Sequence, residues 1–106
     1  MTTFDDPEKE FEARFKHDQE LKFKITARGN RLLGMWAAQR LGLTGADAET
    51  YAKEIVTAQF QVGGNKNVID KIASDLSAKG HTITPNQVQF ELEHFAEQAK
   101  RQLIKE

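Results

Sequence analysis

The chain has 106 residues, 39% of them hydrophobic and 29% charged, with a formal net charge of −1 and no cysteine. That length suits one domain with one modest core. The near-neutral balance excludes a nucleic-acid or membrane-surface binder recognised by overall charge, and the missing cysteines exclude disulfides, thiolate metal sites and cysteine nucleophiles.

The first residues, "MTTFDDPEKE", are acidic and lack the basic-then-apolar order of a signal peptide. Apolar runs are only a few residues long, far short of a membrane span. The expectation is a cytoplasmic protein without direct membrane insertion.

In chain order, Asp6 and Pro7 predict a helix start, with Asp6 as N-cap and the proline at the first helical position, where its missing N–H costs nothing. Nothing then forbids helix until about Gly42. Leu21, Ile25, Leu32 and Trp36, spaced four, seven and four, share a narrow sector that Leu33 and Met35 widen. Phe4, Phe11 and Phe15 form a second stripe, offset from the first by roughly 60–70° of helical phase. The two stripes do not merge, so either a bend or fray near "KHDQE" (16–20) or drift along one long helix is expected. Gly29 weakens the helix by about 1 kcal/mol relative to alanine, but the phase is kept across it. Gly34 suits close helix packing.

Thr44 is the expected N-cap of a second helix, with Asp47 completing a weak capping box. Its predicted apolar face is Ala48, Tyr51, Ala52, Ile55, Ala58 and Val62, and "VGGN" (62–65) is its predicted end. A third amphipathic helix over 65–80 places Val68, Ile69, Ile72, Ala73 and Leu76 inward, with Asn65 or Asn67 as cap and Gly80 just past its end. Thr84, Pro85 and Gln87 open the last helix with a T-x-x-Q box. Val88, Leu92, Phe95, Ala96, Ala99 and Leu103 form its inner face. The fold class is all-α: a long or bent first helix and three shorter ones.

Catalytic motifs are missing: there is no P-loop, no GxGxxG and no HExxH. His17, His81 and His94 are dispersed and read as surface side chains, with His17 a candidate pH sensor. An enzyme is disfavoured, and no metal or resident cofactor is expected. The charge layout is more informative. Residues 5–12 carry five acids against one base, and residues 14–31 carry six bases against two acids. Acids near a helix N-terminus favour the dipole. The same layout, with aromatic anchors, is also that of a helix that docks elsewhere.

"MTTFDD", "FEARFKHDQELKFK", "ARGNRLLGMWAAQRLGL" and "AETYAKEIVTAQF" resemble the zeta, or ATPase-inhibitor, subunit family of alphaproteobacterial F-type ATP synthases. The resemblance is strongest over about residues 1–62. It implies a four-helix bundle, residues 19–106, behind a mobile N-terminal inhibitory segment, residues 1–18. It also implies a non-catalytic inhibitor that is monomeric when free. Its N-terminal segment would insert at a catalytic alpha–beta interface of the synthase head, beside the gamma rotor, blocking hydrolysis while sparing synthesis. Carried onto this chain, Phe4, Phe11 and Phe15 are apolar anchors, and Asp5, Asp6, Arg14 and Lys16 make polar contacts. Leu32, Leu33, Trp36, Tyr51, Ile55 and Phe95 fill the core. Some relatives are thought to bind adenine nucleotides, for which Lys24, Arg28 and Arg31, a basic stripe near Trp36 in sequence, are the candidates for ATP or ADP. The other alternative is a synthase-associated bundle that binds the head without stopping it. Pro7, Gly29 and "VGGNKN" (62–67) depart from the family pattern.

Overall fold

The computed structural model describes the backbone of residues 7–104 and the side chains of residues 16–104. Four helices follow one another: α1 (Pro7–Arg40), α2 (Gly45–Gln59), α3 (Asn65–Ala78) and α4 (Pro85–Ile104). α1 runs as one helix through residues 16–20, so of the two expectations for that stretch the long helix is the one observed. It also crosses the expected division at residue 18 without interruption. Asp6, its expected cap, lies outside the described residues.

The helix ends follow local chemistry. α1 and α3 each close with a glycine in the left-handed region, Gly42 at φ +80° and Gly80 at φ +87°. In each case the next amide reaches back to satisfy a terminal carbonyl, Leu43 N to Ala38 O at 2.9 Å and His81 N to Leu76 O at 3.0 Å. At α4 the capping box forms in both directions: Thr84 N donates to Gln87 Oε1 at 2.8 Å, and Gln87 N donates to Thr84 Oγ1 at 3.2 Å.

Three local expectations are corrected. Thr44 holds the N-cap position of α2, but its side chain makes no cap hydrogen bond; the Thr44–Asp47 box does not form. α2 stops at Gln59, before "VGGN", so Val62 lies in the turn and is fully exposed, not on the inner face. Neither Asn65 nor Asn67 caps α3, whose N-cap is Gly64. Asn67 Nδ2 instead donates to Val62 O at 2.6 Å and Ala58 O at 3.3 Å, answering carbonyls that the end of α2 and the turn leave over.

α1 packs mainly against α2 and α4, and α3 closes the bundle against the same two. One core cluster draws on all four helices, with Leu33, Ile55, Val68, Ile72, Leu76 and Val88 fully buried. The centre of the α1 face is one step round from the expected stripe. Gly29, Asn30, Leu33, Gly34, Ala37 and Ala38 are buried, while Leu21, Ile25, Leu32 and Trp36 flank them half-buried. Phe95 is likewise half-buried, its ring 6.5 Å from that of Trp36. The small residues are what let the neighbours in. A Cβ on Gly34 would stand 2.7 Å from the Cα of Ala52, and one on Gly29 would stand 3.1 Å from the Cα of Ala96. Asn30 is buried mid-helix and donates from Nδ2 to Thr26 O, one turn back, at 2.8 Å.

A polar cluster fastens α2 to α3. The Tyr51 hydroxyl donates to Asp75 Oδ2 at 2.8 Å, and Lys71 Nζ reaches Asp75 at 3.2 Å and Glu54 at 3.7 Å. Burial first, then the Asp75 hydrogen bond and the negative charge of Asp75, hold the Tyr51 phenol above its ordinary range. A raised phenol favours the folded state while the group stays neutral. That contribution is full below the unfolded value of 10.0 and is lost as pH rises above it. Tyr51→Phe is therefore expected to cost about 1 kcal/mol at neutral pH. It should also flatten the fall in stability between neutral pH and about pH 11. Urea unfolding of both proteins across that range checks this.

Candidate functional site

Lys16 through Glu20 are all exposed. At about 100° per residue, five consecutive positions sweep the whole circumference of a helix. α1 therefore stands clear of the bundle here, and Leu21 is the first described side chain to be even half-buried. Of the expected anchors, Phe4, Asp5 and Asp6 lie outside the described residues. Phe11, Arg14 and Phe15 lie on α1, but their side chains are outside the described set. Lys16 is exposed at the N-terminal end of the 16–20 stretch.

Where α1 joins the bundle, Lys24, Arg28 and Arg31 come together along one open groove of about 710 Å³. Their spacing of four and three puts them on one helix face, as the sequence implied. α2 adds Lys53, Val56 and Thr57, and α4 adds Leu103. Phe23 and Ala27 complete an apolar floor under a cationic rim, and no carboxylate lines the groove among the described residues. Arg31 is held by Glu49, Nη2 to Oε2 at 2.6 Å, with both side chains nearly half exposed, so this bridge contributes no more than about 1 kcal/mol. Lys24, Arg28 and Lys53 have no ion pair among the described residues.

Trp36 is not part of this groove, despite its nearness in sequence. It lies about a turn beyond Arg31, lining two concavities towards the other end of the bundle, and the Arg40 guanidinium sits 4.7 Å above its ring. The residues that sequence reasoning missed are Phe23, Lys53 and Phe60. Phe23 and Phe60 stack in solvent with centroids 4.7 Å apart and planes inclined by 25°. A signal existed for Phe23: two residues after Leu21, it points about 200° round the helix from the apolar stripe. The ring of His81 bonds the carbonyl of Arg40 at 2.8 Å, and His94 lies edge-on to Phe95, so both act as local structural partners. Among the described residues no group of three or more His, Cys, Asp or Glu is placed to hold a metal, and no helix is long and apolar enough to cross a membrane.

The family model described as ATPase inhibitor subunit zeta matches residues 1–102. The chain belongs to the ATPase inhibitor subunit zeta family. A solution NMR structure shares the fold at a TM-score of 0.68 and 36% identity, covering 80% of this chain and 96% of that one. A comparison with curated proteins finds no match. Membership of the zeta family makes association with an ATP synthase the setting in which these two surfaces are read: the exposed stretch of α1 at residues 16–20, and the basic groove beyond it.

Proposed function

We propose that this zeta-family protein inhibits ATP hydrolysis by its synthase through steric insertion. Residues 1–16 enter a catalytic alpha–beta interface of the head beside the gamma rotor. Rotation in the hydrolysis direction is blocked, and rotation in the synthesis direction expels the segment. The observation that carries this reading is the exposure of Lys16–Glu20 on every side of α1: the helix stands clear of the bundle over the stretch that leads into the inhibitory segment. A helical stretch that stands clear of its bundle can order against a partner, with rings and charges setting depth and register. Insertion involves no bond making, so no catalytic group is assigned.

Deleting residues 2–16 tests the reading. The bundle should keep its melting temperature and lose no helical signal beyond that of residues 7–16, because every fully buried side chain among the described residues lies beyond Leu21. Inhibition of hydrolysis should be lost. An intact protein that leaves its own synthase head hydrolysing freely at saturating excess would end the proposal.

A second reading is favoured by one observation. Lys24, Arg28 and Arg31 share a groove with Lys53 and the Phe23 ring, and cations around an apolar floor beside an aromatic suit an adenine nucleotide such as ATP or ADP. Titrating nucleotide into the isotope-labelled protein should shift the amides of residues 24–31 and 53–57 selectively. Equal small shifts over the whole bundle, or none, would remove this reading.

A further inference from the structure

Phe23 is 58% exposed, Phe60 47%, Val62 100% and Ile104 57%. All four belong to the end of the bundle from which α1 projects. α2 and α4 both finish there, since Phe60 stacks on Phe23, and Leu103 lines the groove beside Phe23 and Ala27. Stacking hides one face of each ring, yet about half of each phenylalanine stays in water. The apolar surface continues from the rings into the groove floor, Ala27, Val56 and Leu103. A contiguous exposed patch of this kind marks an interaction surface rather than a stray surface residue. Around it stand Lys24, Arg28 and Lys53, none paired with a carboxylate among the described residues. The result is an apolar collar with a cationic rim, set on one side of the root of the projecting helix.

We infer that this collar is a second seat on the ATP synthase head, docking on an apolar surface rimmed by carboxylates beside the site that takes residues 1–16. The inference rests on the insertion reading above and names a further contact for it. Placement argues for this occupant: Phe23 follows Phe15 by eight residues, about 12 Å along a helix. A partner that encloses α1 as far as residues 16–20 therefore brings its own outer surface to the collar. Charge argues the same way, because three unneutralised cations round an apolar floor complement acidic side chains and repel basic ones. Two linked contacts hold longer than one, since release of either leaves the other at high effective concentration, so the collar acts chiefly on residence time.

The test uses full-length variants with the cognate synthase head. Val62 is fully exposed and Phe60 is half so, which leaves the core untouched in the double variant Phe60→Asp, Val62→Asp. Phe90→Ser, at an exposed ring near the opposite end of the bundle, is the control. The collar variant should inhibit hydrolysis at least ~10-fold more weakly and dissociate correspondingly faster. It should stay folded and melt cooperatively, lower than the parent only by the loss of the Phe23–Phe60 stack, and the control should inhibit like the parent. If the collar variant inhibits within about twofold of the parent while deletion of residues 2–16 abolishes inhibition, the collar proposal fails and the insertion reading stands. If the deletion leaves inhibition intact, the insertion reading fails, and with it the collar as a second seat. Sedimentation equilibrium adds one further outcome: a parent dimer that the collar variant dissociates would assign the patch to a second copy of this chain and overturn the inference.

Discussion

Gly34→Leu should strongly destabilise the bundle. The position is buried, and even an alanine Cβ there would stand 2.7 Å from the Cα of Ala52 and 3.3 Å from the Cβ of Ile55. The nearest atom is backbone, so the clash is relieved only by moving α2 away from α1 along much of its length. Overpacking of this kind costs about 1–3 kcal/mol, and a leucine, three heavy atoms larger than alanine, belongs at or above the top of that range. Helix propensity pulls the other way, favouring alanine over glycine by about 1 kcal/mol. The two effects make Gly34→Ala the sharper experiment. If packing wins, the urea midpoint falls; if propensity wins, it rises. The 2.7 Å approach to fixed backbone predicts a fall. At Gly29 a Cβ would meet the Cα of Ala96 at 3.1 Å, a milder approach, and Gly29→Ala should lose less. A Gly34→Ala protein as stable as the parent would mean that α1 and α2 are not packed this closely in solution.

The number and order of the helices were legible because each signal was local. The glycine at position 80 and the T-x-x-Q box at 84–87 act within one turn of chain, and both form as read. What was not legible depended on contacts between helices. Spacing identified a stripe of large residues on α1, but burial is centred on Leu33 and on glycines and alanines beside it. Small residues carry little hydrophobic signal, yet they sit where two neighbouring helices approach closest. The basic stripe of Lys24, Arg28 and Arg31 was legible from its spacing, whereas its assembly with Lys53 and Leu103 required knowing that α2 and α4 both end beside Phe23. Trp36 shows the reverse error. Sequence nearness suggested a shared surface, but between Arg31 and Trp36 the helix turns by about 500°, net 140°, and rises about 7.5 Å, which takes the indole to a different side.

Phe11→Ala and Phe15→Ala should each weaken inhibition of ATP hydrolysis by roughly 10- to 100-fold, and together they should abolish it. Burying a phenylalanine is worth about 1.5–3 kcal/mol, and each 1.4 kcal/mol is a factor of ten in affinity. The spacing of four between the two rings puts them on one side of α1, so one apolar cleft can take both. Neither change should move the melting temperature, because among the described residues the core cluster has no member before Leu33 and Lys16–Glu20 stand clear of it. Pro7 separates these two anchors from Phe4. Its ring disfavours helix at Asp6, so Phe4 can join the same helical face only if the chain before Pro7 adopts an unfavoured conformation. Pro7→Ala lifts that restriction, letting the helix extend back through Asp5 and Asp6, and is expected to tighten inhibition with the gain lost again in the Phe4→Ala, Pro7→Ala double variant. Dose–response curves of hydrolysis by the cognate head, taken with the parent and these five variants side by side, give each of these ratios. Parent-like potency in both the Phe11 and Phe15 variants would remove the rings as anchors. Loss of potency in Pro7→Ala would mean that the inserted segment turns away from the helix at this proline, so that Phe4 reaches its contact by an extended chain.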